Sequence, residues 1–433
     1  MSIRCGFTVG RTTAESSLSD QLKRYKAREL KTKDRIKMNQ KYVNPAKESL
    51  VSKCIKVVVS NFEANPVKEI IPPPQMAQIT SQLPTTLSPI IGGKYVYNEN
   101  FWKRCCVDKF GWHNCNLSEH GMLWKQLYFE KLIQERLEDF DAQTENIEDL
   151  FDLLDACMDY LFTISFHQCP SHIDMFELCS LTPNLSKLDV TYGVNKAGMN
   201  YERMLFGMKI SDASSLAKVF DTTETLTTLI MSGNMIDDDL LRMLMTGLIK
   251  NNTITCLNVS HNKITNHGAR LISKLIGENS VMTALDLSDN QIHVEGGRYL
   301  ARGLRDNDSL LQLNLRLNRL TDDGCRLLIE GIQDNVTLTD LNISANCAGN
   351  QACQMLCTVL RDPERSLATV DATSNDFTAE HIDLFRIAVG TSKSITTLDL
   401  RRNPGYNEIS ATAKEIERLL LANETAIFSS VRK

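Results

Sequence analysis

From Leu226 onward, aliphatic side chains recur in one phrase, L-x-x-L-x-L-x-x-N with aliphatic variation. Its members are Leu226, Leu229, Met231, Asn234; Ile254, Leu257, Val259, Asn262; Met282, Leu285, Leu287, Asn290; and Leu310, Leu313, Leu315, Asn318. Three more follow: Leu338, Leu341, Ile343, Asn346; Leu367, Val370, Ala372, Asn375; and Ile395, Leu398, Leu400, Asn403. Successive asparagines lie 28, 28, 28, 28, 29 and 28 residues apart. Within each phrase the L-x-L pair puts two aliphatic side chains on one face of a short strand. The rest of each period reads as helix, with Leu271, Ile272, Leu275 and Ile276 or Leu327, Leu328 and Ile332 forming one buried stripe.

A strand, a turn and a helix repeated at fixed period predict an α/β leucine-rich repeat solenoid. The expected form is a horseshoe with a parallel sheet on the concave side and helices on the convex side. Each recurring asparagine falls where the chain leaves the strand and backbone groups lose their ladder partners. An amide both donates and accepts, so Asn234, Asn262, Asn290, Asn318, Asn346, Asn375 and Asn403 are expected to form a structural ladder. Glycine recurs six residues later at Gly268, Gly296 and Gly324. A second asparagine column, Asn251, Asn279, Asn307 and Asn335, follows each helix and is expected to end it in the left-handed conformation.

Both ends of the array are irregular. Leu185, Leu188 and Val190 fit the phrase, but Gly193 replaces the asparagine and an insertion around Asn195 to Met208 follows. Ile416 to Leu421 reads as a closing helix. Upstream, the charged stretch Leu18 to Tyr42 reads as a basic helix, and residues 65–93 hold six of the chain's eleven prolines, which reads as an extended linker. Two apolar-periodic helices are expected over Leu123 to Phe140 and Leu150 to Phe166, close to the three tryptophans Trp102, Trp112 and Trp124. The expected organisation is a basic, proline-rich arm over 1–95, a helical cap over 96–180 and the repeats over 181–433.

Charge sharpens this picture. Residues 1–60 carry 14 Lys+Arg against 5 Asp+Glu, whereas the whole chain is net −5, so an acidic body of −14 bears a basic arm. An anionic partner is the natural counterpart of such an arm, and Lys23, Arg24, Lys26 and Arg28 are its candidate contacts. No apolar run is long enough to span a membrane, and Met1 to Gly10 lacks the apolar core of a secretory signal. Thirteen scattered cysteines then suggest reduced thiols in a cytosolic compartment.

Catalytic chemistry finds no support. Cys105, Cys106, His113, Cys115 and His120 are close in sequence, but their spacing is a poor match for zinc and favours packing. Gly92-Gly93-Lys94 lacks the leading glycine and the hydroxyl residue of a phosphate loop. Cys353 and Cys357 read as buried small hydrophobes. No cofactor or metal is expected, and the chain is expected not to be an enzyme.

What the repeats offer is a surface. Alternation predicts one exposed column of Asp189, Ile230, Asn258, Asp286, Asn314, Asn342, Asp371 and Asp399, the amides relieving repulsion between the carboxylates. The next column is Ser232, Ser260, Ser288, Arg316, Ser344, Thr373 and Arg401, small residues leaving room for a partner. Asp286, Arg316, Arg319, Asp371, Asp399, Arg401 and Arg402 are the candidate partner-binding residues, arginine being enriched at binding hot spots.

At a 28-residue period the coil resembles the ribonuclease-inhibitor-like class of leucine-rich repeats. Ran-type GTPase-activating proteins and F-box adaptors with similar repeats are alternatives within that class. Trp102-Lys103-Arg104-Cys105-Cys106, Gly121, and Trp124-Lys125-Gln126-Leu127-Tyr128-Phe129-Glu130 point to a narrower group, as do Gly207-Met208-Lys209 and Asn314-Leu315-Arg316-Leu317-Asn318. On these residues, roughly 96 to 420 resembles the leucine-rich-repeat subunit-five family of the nexin–dynein regulatory complex, the T-complex-associated testis-expressed family. The resemblance implies a non-enzymatic scaffold of the ciliary or flagellar axoneme that links doublet microtubules and regulates dynein-driven motility. Its implied partners are other subunits of that complex, and tubulin through the arm, with no membrane or nucleic acid involved.

Overall fold

The computed structural model describes residues 49–67, 71–140, 144–168, 173–193, 206–278 and 281–431. Lys23, Arg24, Lys26, Arg28 and the helix expected over Leu18 to Tyr42 lie outside the described residues. The chain divides into two compact units, Met1–Leu83 and Pro84–Lys433.

In the first unit, α1 (Leu50–Ser60) is capped by Ser49, whose hydroxyl accepts the Ser52 N–H at 3.1 Å, and α2 spans Pro73–Gln82. The second unit opens with α3 (Pro89–Tyr95). Residues 65–93 are therefore not the extended linker that their proline content suggests. Both helices carry proline in the first turn, where the missing N–H would have no partner anyway and the fixed φ suits a helix.

After α3 come α4 (Glu99–Phe110), α5 (Trp124–Asp139) and α6 (Ile147–Cys157). The helix expected over Leu150 to Phe166 stops at Cys157, and Thr163–Phe166 is instead strand β1. Ile164 and Phe166 alternate inward there, a period of two that outweighs the helical reading. The sheet thus begins inside the region expected as a purely helical cap. Helix α7 (Met175–Ser180) leads to β2 (Lys187–Val190), which contains the irregular first phrase. A bridge between Gly193 and Phe206 closes the insertion, whose residues 194–205 lie outside the described residues.

From here strand and helix alternate without exception. The strands are β3 (Thr228–Ile230), β4 (Cys256–Asn258), β5 (Ala284–Asp286), β6 (Gln312–Asn314), β7 (Asp340–Asn342), β8 (Thr369–Asp371) and β9 (Thr397–Asp399). The helices are α8 (Ile210–Thr222) before β3, then α9 (Asp238–Leu248), α10 (Asn266–Glu278), α11 (Val294–Arg305), α12 (Thr321–Gly331), α13 (Asn350–Arg361), α14 (Ala379–Thr391) and α15 (Ala411–Val431). The closing helix is longer than the expected Ile416 to Leu421.

All nine strands are parallel and pair in chain order. The register places Leu229, Leu257, Leu285, Leu313, Leu341, Val370 and Leu398 side by side, and every one of them is buried. A helix and a strand from each coil enclose this continuous aliphatic seam. The chain is an α/β leucine-rich repeat solenoid.

Candidate interaction surface

Every asparagine of the expected ladder is buried. Asn262 is representative: Nδ2 donates to Met231 O at 2.9 Å in the preceding coil, and Oδ1 accepts the N–H groups of Asn234 and Ile236, each at 3.0 Å. Asn234, Asn290, Asn318, Asn346, Asn375 and Asn403 reach the same carbonyl position of the coil before, at 2.7–3.1 Å. One side chain thereby joins two turns.

The second column has another role than the one expected. Asn251, Asn307 and Asn335 are buried and absent from the left-handed positions; Asn279 lies outside the described residues. Their Nδ2 atoms donate to Phe220 O, Ile276 O and Leu304 O at 2.8–2.9 Å in the preceding helix. Their Oδ1 atoms accept the N–H three residues on, at Ile254, Leu310 and Leu338. The left-handed residues stand elsewhere, one position before each ladder asparagine: Gly233, His261, Asp289, Leu317, Ala345, Ser374 and Arg402, with φ of 51–71°.

On the open face of the sheet, Asn258, Asp286, Asn314, Asn342, Asp371 and Asp399 form one registered row. They are half-buried rather than free. Each Oδ1 accepts the N–H two residues on, at 2.8–3.1 Å, so each closes a turn. Asn314 Nδ2 also donates to Asp286 at 3.0 Å, and Asn342 Nδ2 to Asp371 at 3.1 Å. The amides thus bind the neighbouring carboxylates directly. Burial pushes the Asp189 carboxyl up.

The serine column is a correction. Ser260, Ser288 and Ser344 are buried, because two residues past the strand the chain has already turned inward and their N–H groups are held by the row above. Ser232 and Thr373 are half-buried, and the position is fully exposed where it carries a long side chain, at Arg316 and Arg401.

Arg316, Asp371, Thr373, Asp399, Arg401, Arg402 and Glu408 line one depression at the C-terminal end of this face. Arg401 is committed inside it: Nε lies 2.9 and 3.0 Å from the two Asp399 oxygens, and a terminal guanidinium nitrogen also bonds Asp399. Burial works against the Asp399 charge, but the arginine outweighs it and holds the carboxyl below its usual range, while Arg401 is raised. Arg319 is exposed but does not line the depression. Asp286 is engaged with Asn314 and stands four strands away from Asp399.

The cysteine–histidine segment disperses. Cys105 and Cys106 are buried with their thiols toward Thr85 O and Trp124 O, and Cys115 toward Gly111 O. Burial pushes the Cys105 thiol up to about 12. Among the described residues no group of three or more His, Cys, Asp or Glu side chains is gathered to hold a metal. Gly92 and Gly93 are buried within α3, and a Cβ at Gly93 would stand 2.6 Å from Ala156 O on α6, so their smallness serves helix packing. Lys94 pairs with Asp155 at 2.7 Å. Among the described residues no helix is long and apolar enough to cross a membrane.

The tryptophan block conceals three buried polar side chains. Lys125 Nζ donates to Gly93 O at 2.8 Å and sits 4.1, 4.5 and 5.6 Å from the ring centres of Tyr160, Tyr97 and Trp102. Burial pushes it down to about 8. Glu130 accepts the Phe162 and Thr163 N–H groups at 3.1 and 2.9 Å and the Gln126 amide at 3.0 Å, and also pairs with His120. Two turns on, Glu138 accepts the His167 N–H at 3.1 Å. Helix α5 thereby covers the outer edge of β1. Periodicity gives no sign of this, because charged residues on a helix ordinarily mark its solvent side.

Comparison with known sequences agrees with this architecture. A protein-family profile described as "Leucine Rich repeat" matches residues 250–273, 278–301 and 306–328. The chain is similar to "Dynein regulatory complex subunit 5" of Chlamydomonas reinhardtii, 40% identical over 193 residues, which is 44% of this chain and 48% of that protein. The protein of the same name from Mus musculus is 29% identical over 228 residues, 46% of this chain and 45% of that protein. The chain therefore spans about half the length of the curated relatives it matches. Among solved structures, "Leiomodin-1 Actin-Binding Site 2 (ABS2)" aligns with a TM-score of 0.28 and 14% identity over 52% of this chain and 95% of that one.

Proposed function

We propose that this chain is a non-enzymatic scaffold subunit of the dynein regulatory complex in the ciliary or flagellar axoneme, where its repeats hold other subunits of the complex. The observation that supports this most is the 40% identity over 193 residues to a protein of that name. The physical character of the molecule agrees. Its polar groups are spent on coil-to-coil bonds, and its open face is a registered row of amides and carboxylates.

In this reading the basic segment holding Lys23, Arg24, Lys26 and Arg28 contacts the acidic surface of the doublet microtubule. Cross-linking of intact cilia followed by mass spectrometry tests membership: links to other subunits of the complex are expected, and their absence overturns it. Sedimentation of residues 1–60 with microtubules tests the arm. Binding should weaken as salt rises from low to physiological strength, and salt-independent binding assigns the arm another partner. If the chain instead accelerates GTP hydrolysis by Ran and Arg316→Ala or Arg401→Ala abolishes that, the scaffold reading falls to the GTPase-activator alternative.

A further inference from the structure

We infer that the depression around Arg316 and Arg402 docks an extended acidic segment of a partner protein, with two of its carboxylates placed on those two guanidinium groups. This rests on the scaffold reading above and gives one part of the open face a ligand chemistry. Three arginines and three carboxylates line the depression, but they are not equally available. Arg401 and Asp399 are bonded to each other, and Asp371 accepts from Thr373 and Asn342. Among the described residues, Arg316 and Arg402 have no ion-pair partner.

Their placement follows from the fold. Arg316 follows β6 and Arg402 follows β9, three strand spacings away, or about 14 Å. Between them Ser344 is 1% exposed and leaves the floor low. Arg402 is held at φ 62°, the left-handed position of its turn, and is exposed.

A polypeptide in extended form rises about 3.3 Å per residue and turns alternate side chains to one face. Acidic residues at positions i and i+4 would therefore reach both arginines, each as a charge-assisted, fork-like pair. The residues between them would lie over Asp371 and Asp399, whose oxygens can accept backbone N–H groups. A nucleic acid fits less well, because a phosphate at every unit would meet Asp371, Asp399 and Glu408 as well as the arginines.

The test uses the full chain and a fluorescein-labelled peptide, Ser-Glu-Ser-Ala-Ser-Glu-Ser, followed by fluorescence anisotropy. Binding should weaken at least tenfold in the Arg316→Gln/Arg402→Gln double variant and stay within twofold in Arg319→Gln. The same peptide with lysine in place of glutamate should not bind. No binding by the parent chain, an unchanged affinity in the double variant, or an equal loss in Arg319→Gln overturns the proposal. So does a single-stranded oligonucleotide that binds more tightly than the peptide and is lost in the double variant. All three arginines are exposed, so a melting curve that matches the parent confirms that each variant is folded. The two readings fail separately: missing cross-links in cilia strike complex membership, whereas a flat titration strikes the peptide site.

Discussion

Asn290 shows how one side chain ties a coil to its neighbour. Its Nδ2 donates to Val259 O at 3.0 Å and its Oδ1 accepts the Ile264 N–H at 3.1 Å. Alanine there would leave those backbone groups buried and unpaired, so Asn290→Ala is expected to cost about 1–3 kcal/mol in urea denaturation; a neutral result would mean that water replaces the amide. The 28-residue beat makes this column legible from sequence alone. The second column, at Asn307 for example, has an equally visible position but a hidden direction, since only the fold shows its amide pointing inward. The left-handed column was not legible at all. Its occupants include His261, Asp289, Leu317 and Ala345, which share no chemistry, and the surrounding bonds impose their conformation. Because a Cβ opposes that conformation, Ala345→Gly should stabilise the chain by about 1 kcal/mol, visible as a higher melting temperature. No change, or a loss, would show that the turn is relaxed as it stands.

Among the elements, several helices in the repeats take a cap from the coil before. Asp238 Oδ1 accepts the Thr265 and Gly268 N–H groups at 2.9 and 3.0 Å, at the start of α10. Asn266 does the same for His293 and Gly296 at α11, and Asp322 for Gly349 and Ala352 at α13. At Gly268 and Gly296 the missing side chain leaves room for this, because a Cβ would stand 2.6 and 2.8 Å from the capping Asp238 and Asn266 oxygens and closer still to Ile264 and Ile292 Cγ2, whereas Ala352 takes the same bond with its Cβ in place. The series breaks at Val294, where the corresponding N–H groups have backbone partners instead: Thr321 donates to Asn346 O at 2.9 Å and Gly324 to Leu320 O at 3.1 Å. Asp238→Ala, which removes the borrowed cap of α10, is expected to cost about 0.5–2 kcal/mol, measured by chemical denaturation against the parent chain. An unchanged midpoint would mean that water replaces the carboxylate. Strand β1 shows where element reading fails, because Leu150 to Phe166 fits a helical period well enough to hide the four residues that join the sheet.

Over the whole molecule, buried thiols make stability depend on alkali. Cys105, Cys106, Cys157 and Cys325 are buried, and burial raises each thiol above its ordinary value of 9.0. Below pH 9 the folded and unfolded chains hold these protons alike, and the full stability is present. Above it the unfolded chain releases them first, so stability falls toward pH 12 by about 1.4 kcal/mol per thiol per pH unit. Lys125 acts in the opposite sense between about 8 and 10.5, but one lysine faces four thiols. Urea midpoints should therefore drop steadily from pH 9 to 10.5, and constant midpoints would show that the thiols are open to solvent. The repeat number, the inward row and the C-terminal arginines were readable at this scale because spacing alone fixes them. The pairing that leaves Arg316 and Arg402 without an ion-pair partner among the described residues was not, since it depends on Arg401 turning back onto Asp399.

An uncovered parallel strand invites another chain to add to it. At β1 that invitation is withdrawn, because Glu130 and Glu138 on α5 already hold the N–H groups of Phe162, Thr163 and His167. A strand from a second copy could pair at that edge only by displacing α5 and freeing those donors.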